Sequence, residues 1–185
     1  MGAYVAKPLS RCDIRCVARV FQKLMGDEYY FDIIKFLEHK LPKIDPEFTL
    51  EIVEDTELIG AYATSCPHEH LIKVRQSVYE GAIAGNGRDR FTLCHELGHY
   101  IFHKPNNISF LRADKVIEAY REPEWQANTF AGELLVPAKV AKMYPVEEIV
   151  QRCCVSYAVA EIQKKNVLKA KKSHQTALKF GGIAK

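Results

Sequence analysis

Residues 91–103 read Phe-Thr-Leu-Cys-His-Glu-Leu-Gly-His-Tyr-Ile-Phe-His, a His-Glu-x-x-His pattern inside an apolar, helix-compatible run. An α-helix advances roughly 100° per residue, so His95 and His99 fall on one face about one turn apart. Two imidazoles held that way can share a zinc ion at about 2.0–2.1 Å. Glu96 lies beside them, placed to take a proton from a water that such an ion polarises. Between Phe91 and Ile101 no other residue carries a formal charge. An ionised glutamate in such a helix is costly unless a metal or hydrogen bonds compensate, which favours a metal site over two satisfied core histidines.

A hydrolytic zinc needs three protein ligands and an open position. His103 continues the stripe, but it lies roughly 12 Å from His95 along the helix axis, too far to share one ion. It reads as a helix-end residue favoured by the dipole. The metzincin pattern, with Gly three and His six residues after the second histidine, is excluded by Phe102 and Pro105. A carboxylate from another helix remains. In the helix expected over 122–135, Glu124, Ala127, Asn128 and Ala131 fall at i, i+3, i+4 and i+7. One carboxylate then stands above small residues that let the backbone approach the His95 helix. Glu124 is the best-placed third ligand, with a solvated helix carboxylate as its competing reading. Glu122, on a different face and followed by Pro123, is the rival. Glu133 reads as a surface residue or one behind the ligands. His68-Glu69-His70 reads as a polar loop entering a strand. Cys94, about 100° round the helix from His95, reads as a small buried hydrophobe.

Periodicity supplies the elements that must hold these residues. Ile14, Val17, Ala18, Phe21 and Leu24 mark an amphipathic helix over 10–25, stopped by Gly26. A second helix is expected over 31–41, stopped by Pro42. Strands are expected over 48–53, over 58–64 (weakened by Gly60) and over 70–75, forming a small, mostly antiparallel sheet after the two helices. Three glycines and an Asn86-Gly87 turn signal make 81–90 a loop. The His-Glu-x-x-His helix then spans 88–103, ended by Pro105. It is apolar nearly all round and hence buried and central. Gly98 inside it costs about 1 kcal/mol relative to alanine and lets another element close on the metal face. Residues 106–114 read as a loop. The helix over 122–135 stops at Pro137. Short helices over 146–153 and 157–168 flank Cys154-Val155-Ser156, and 173–185 read as a frayed end.

The whole is an α+β class chain of 185 residues, 48% hydrophobic and 26% charged, ordinary for a globular domain. No apolar run approaches the ~20 residues that span a bilayer, and 1–15 lack an apolar signal-peptide core. Six cysteines without a C-x-x-C pair fit a reducing cytoplasm better than a disulfide scaffold. A formal net charge of +3 does not by itself argue for nucleic acid, although no acidic residue follows Glu161 and lysines continue to Lys185.

Residues 90–100, Arg-Phe-Thr-Leu-Cys-His-Glu-Leu-Gly-His-Tyr, followed by 124–137, Glu-Trp-Gln-Ala-Asn-Thr-Phe-Ala-Gly-Glu-Leu-Leu-Val-Pro, resemble the ImmA/IrrE family of metallo-endopeptidases. The resemblance covers about 82–137. It implies a compact zincin-like fold with zinc as cofactor and Glu124, three residues before the Ala-Asn pair, as third ligand. It also implies intracellular cleavage of a helix-turn-helix (Xre-type) repressor of a mobile element or stress response. Residues 147–165 are similar to a helix-turn-helix found after the peptidase core in some relatives, with Cys154 in place of the usual turn glycine. Lacking a third helix, DNA binding through 146–168 is the minority reading against packing on the core or docking a repressor.

The expected organisation is a metallopeptidase domain over 1–142, a helical extension over 143–170 and a flexible basic tail over 171–185. Zinc on His95, His99 and Glu124 would polarise water and the scissile carbonyl. Glu96 would move the proton to the leaving amine. Asn128, one turn below Glu124, would orient it. Tyr100, Tyr120 and Arg90 are candidates for steadying the oxyanion. Substrate would add as a strand to the edge at 70–75. The alternative class is a regulatory repressor- or DNA-binding protein with an idle or structural zinc site.

Overall fold

The computed structural model describes residues 2–26, 29–112 and 117–180, the side chains of 2–3, 111–112 and 170–180 excepted. β1 (Gly2–Ala6) leads to α1 (Arg11–Met25). The Ser10 hydroxyl accepts from the Asp13 N–H while the Asp13 carboxylate accepts from the Ser10 N–H, and Gly26 closes the helix at φ +77°. The left-handed stop is what the sequence predicts, and the reciprocal cap fixes the start. α2 (Ile33–Lys35), a π-helical turn (Phe36–Lys40) and α3 (Leu41–Ile44) follow without a break. Pro42 therefore does not stop the helix. It sits at the start of α3, and the wider turn before it, closed by Leu41 N–H on Phe36 C=O, absorbs the ring.

β2 (Thr49–Val53), β3 (Ala63–Cys66) and β4 (Leu71–Arg75) form one sheet in the order β2-β4-β3. The pairing is mixed, with β2 parallel and β3 antiparallel to β4, so the mostly antiparallel sheet is corrected. β3 begins beyond Gly60, later than the strand expected over 58–64. β4 is the central strand, with Leu71, Ile72 and Val74 buried. Residues 70–75 are thus no free edge. The edge beside the histidine helix is β3. A second sheet pairs β1 antiparallel with β5 (Ile108–Arg112), where a loop over 106–114 was expected; 113–114 lie outside the described residues.

α4 (Gln76–Ile83) occupies the start of the expected 81–90 loop, leaving only 84–86 between it and α5 (Gly87–Phe102). α6 (Pro123–Leu135), α7 (Ala138–Met143), α8 (Val146–Cys153) and α9 (Tyr157–Phe180) complete the chain. α9 continues past Leu168, so 173–180 are helical; 181–185 lie outside the described residues. α5 lies between the three-stranded sheet and α6. Phe48 meets Tyr100 edge-on at 5.2 Å on one side, and Phe102 meets Phe130 at 5.3 Å on the other. α1 covers the far side of α6 through Phe21, 5.9 Å from Phe130. Ile149, Cys153, Ala160 and Val167 belong to the same core, so α8 and α9 are packed on it.

Candidate metal centre

Asn86 starts α5 by accepting from the N–H groups of Arg88 at 2.9 Å and Asp89 at 3.3 Å. The helix then carries His95 and His99 to the face that meets α6. Gly98 sets the closeness of that meeting. A Cβ on Gly98 would lie 3.0 Å from Ala127 Cα and 3.2 Å from Phe130 Cδ1. Gly98→Ala would gain about 1 kcal/mol of helix propensity. It would also press a methyl against backbone, and overpacking costs about 1–3 kcal/mol. We expect net destabilisation, read as a lower thermal midpoint; a raised midpoint would mean that α6 yields freely.

The close approach brings Glu124, in the first turn of α6, over the histidines. His95 Nε2 and His99 Nε2 are 3.0 Å apart. Glu124 Oε2 stands 3.4 Å from the first, and its Oε1 3.3 Å from the second. Ligands at about 2.0–2.1 Å from a tetrahedral zinc are about 3.3–3.4 Å from one another. The spacing fits that ion, as does the donor set of two imidazoles and one carboxylate. The imidazole side chains are 18% and 19% exposed and Glu124 is 71% exposed, so the centre opens to solvent on the Glu124 side. Burial, with His103 and His95 adding to it, pushes the His99 pKa down to about 3. At neutral pH its ring is uncharged, as a metal ligand must be.

With both Nε2 atoms turned inward, the Nδ1 atoms face outward to partners. His95 Nδ1 lies 3.0 Å from Asn128 Oδ1. Asn128 thus meets a histidine, not Glu124. His99 Nδ1 lies 2.9 Å from His103 Nδ1, and His103 Nε2 lies 3.0 Å from Gln126 Oε1. His103 is the residue after the helix, as expected, but it is buried and bonded to His99 rather than held by the dipole. Roughly 12 Å along the axis separates it from an ion shared with His95, and its place four residues after His99 is the signal that it can touch that ligand instead. Gln126 had no signal beyond its helix.

Glu96 is partly buried beside these groups and accepts a hydrogen bond from the backbone N–H of Ser65 on β3. Burial, reinforced by the Glu124 charge and opposed by the Ser65 bond, pushes its carboxyl up to about 7. Glu122 precedes α6 and is exposed, outside the His95, His99, Glu124 group. Glu133 is neither at the surface nor behind the ligands; it is wholly buried in an ion pair with Arg15 of α1 at 2.8 Å. Tyr100 donates its hydroxyl to Asp45 Oδ2 at 2.6 Å, and the same oxygen lies 2.8 Å from His70 Nδ1. The backbone carbonyl of Tyr120 accepts from Gln126, and the residue is 44% exposed.

Arg90 is fully buried over the Tyr30 ring, so it offers nothing to an oxyanion. It donates to the carbonyls of Phe31 at 2.8 Å, Cys153 at 2.7 Å and Cys154. Those last two carbonyls end α8. Beside them the Cys154 thiol donates to Gly85 C=O at 2.9 Å, and a Cβ on Gly87 would lie 2.8 Å from Ser156 N. The α8–α9 turn is therefore seated on the start of α5.

The family model of peptidase M78, the IrrE N-terminal-like domain, matches residues 62–162, more than half of the 185-residue chain. The chain belongs to this family. The matched segment holds β3, β4, α5, α6 and α8, and so every residue of the centre. M78 is a peptidase family, and its metallopeptidase character agrees with the ligand geometry above. Among solved structures, a Mycobacterium tuberculosis transcriptional regulator is similar, with a TM-score of 0.54 at 16% identity. The match covers 80% of this chain and 45% of that one, so the chain spans less than half of the regulator's length. The likeness is one of fold. No curated protein matches the chain.

Proposed function

We propose that this M78 family chain is a zinc-dependent endopeptidase whose substrate is a helix-turn-helix repressor of the Xre type, in a cytoplasmic setting. The observation that carries the reading is the convergence of His95 Nε2, His99 Nε2 and the Glu124 carboxylate within 3.0–3.4 Å of one another. Glu96 lies beside them. Bound on those three residues, zinc would supply a Lewis acid that lowers the pKa of water toward about 7 and polarises a carbonyl. Glu96, poised near neutrality, takes the proton of the attacking water and delivers it to the leaving amine. Its Ser65 hydrogen bond keeps the carboxylate aimed while that happens.

The substrate chain adds to the free edge of β3 rather than to β4, because β4 is paired on both sides. Ser65 already turns its N–H toward Glu96, so a strand laid there is delivered to the base. None of the six cysteines forms a disulfide. No helix among the described residues is long and apolar enough to cross a membrane. The peptidase unit over 1–142 is extended by 143–170, with α9 carrying on beyond.

The regulatory alternative has one point in its favour, the name of the structural neighbour, a transcriptional regulator. Against it, the α8–α9 turn is occupied by Arg90 and the Gly85–Gly87 segment, which leaves it packed on the core. The test of the centre is Glu124→Ala. Wild type should hold one zinc per chain after dialysis and lose cleavage of a co-encoded repressor to a chelator, while Glu124→Ala should hold markedly less. Undiminished zinc in the variant would reassign the third ligand.

A further inference from the structure

We propose that Gln126 and His103 are positioning residues that fix the tautomer of His99, so that its Nε2 lone pair, and not an N–H, faces Glu124 and His95. The inference rests on the zinc reading above but stands on its own hydrogen-bond arithmetic. Gln126 Nε2 lies 2.8 Å from Lys7 C=O and 2.7 Å from Tyr120 C=O. Carbonyls only accept, so the amide NH₂ must face them; the flipped amide would set its oxygen against both. Gln126 Oε1 is left facing His103 Nε2 at 3.0 Å and can only accept, so that nitrogen carries the proton. A neutral imidazole has one N–H, which leaves His103 Nδ1 as acceptor. The atom facing it at 2.9 Å, His99 Nδ1, is then the donor, and His99 Nε2 is bare.

His95 has no such constraint. Its partner Asn128 is exposed, and an exposed amide can turn either end to Nδ1. The two candidate ligands are therefore held differently, one by an adjustable side chain and one through a buried series ending on two backbone carbonyls. Gln126 is fully buried and His103 nearly so. The carbonyls come from the exit of β1 and from the turn before α6, which makes the N-terminal strand part of the support of the centre.

Two measurements on the full chain test this. In metal-free wild type, ring-¹⁵N histidine spectra should show His99 protonated at Nδ1 and His103 at Nε2. A His99 ring protonated at Nε2 would overturn the proposal, whether or not the chain binds zinc, so this outcome is separable from failure of the peptidase reading. Zinc affinity, by competition with a chromophoric chelator, should fall about 10–100-fold in His103→Leu and in Gln126→Leu. His103→Gln, whose amide can accept from His99 and donate to Gln126, should recover most of it. Wild-type affinity in both leucine variants, or equal weakness in His103→Leu and His103→Gln, would overturn it.

Discussion

Glu96→Gln should slow cleavage of the repressor substrate by about 10²–10⁴-fold, the span that a positioned general base contributes, while zinc content stays at the wild-type level. Glutamine keeps the shape, and its carbonyl oxygen still accepts the Ser65 N–H that the carboxylate accepts now. It cannot take a proton. The environment of Glu96 says why a proton is at issue. A structural carboxylate is stabilised as an anion by donors, whereas Glu96 is half-buried beside another negative group, Glu124, and has its pKa raised to about 7. Such a group is poor at holding a helix together and well suited to exchanging a proton at neutral pH. Initial rates on a co-encoded helix-turn-helix repressor, with metal analysis of the same samples, decide the matter. Equal rates in variant and wild type would sink the mechanism. Absence of cleavage by either, with tight binding of the repressor, would move the chain to the regulatory reading.

Much of the centre was legible because its information is local. His95, Glu96 and His99 are ordered by helix geometry alone, and Glu124 by a small-residue stripe whose consequence is an approach so close that a Cβ on Gly98 would lie 3.0 Å from Ala127 Cα. The same holds for the end of α1, which Gly26 stops at φ +77°. What escaped depends on contacts between distant segments. Gln126 acquires its role from Lys7, far away in the chain. Arg90 is one basic residue at the head of an apolar helix, and only the carbonyls of Phe31, Cys153 and Cys154 show that it is a clasp and not a catalyst. β1 and β5 are short, and neither is convincing until the other lies beside it.

The sheet shows the same division. Alternation over 48–53 identified a strand but not its neighbour. A mostly antiparallel sheet was the expectation, yet β4 sits between β2 and β3 and runs parallel to β2. Leu71, Ile72 and Val74 carried the clue, since adjacent buried apolar residues belong to a strand covered on both faces. With β4 paired on both sides, the sheet edge that lies beside the histidine helix is that of β3.

Arg15→Met should lower the free energy of unfolding by about 3–5 kcal/mol, the range for stranding one partner of a buried ion pair. Glu133 has no exposed side-chain surface. Arg15 grips it from α1 with two bonds, Nε to Oε2 at 2.8 Å and Nη2 to Oε1 at 2.9 Å. Arg11 reaches it only at 3.4 Å. Without Arg15 the carboxylate stays buried with that single long contact. The reverse deletion is milder, because the Arg15 side chain is 21% exposed and can regain water when Glu133 is gone. Glu133→Leu should therefore cost less than Arg15→Met, and the double variant should recover much of the single loss. Urea denaturation of the three variants measures the ordering. Since domains are held by only about 5–15 kcal/mol, the loss in Arg15→Met should be large enough to loosen α6, and with it Glu124. Equal costs for the two single variants, with simple addition in the double, would mean that the α1–α6 contact works through packing and not through the charge on Glu133.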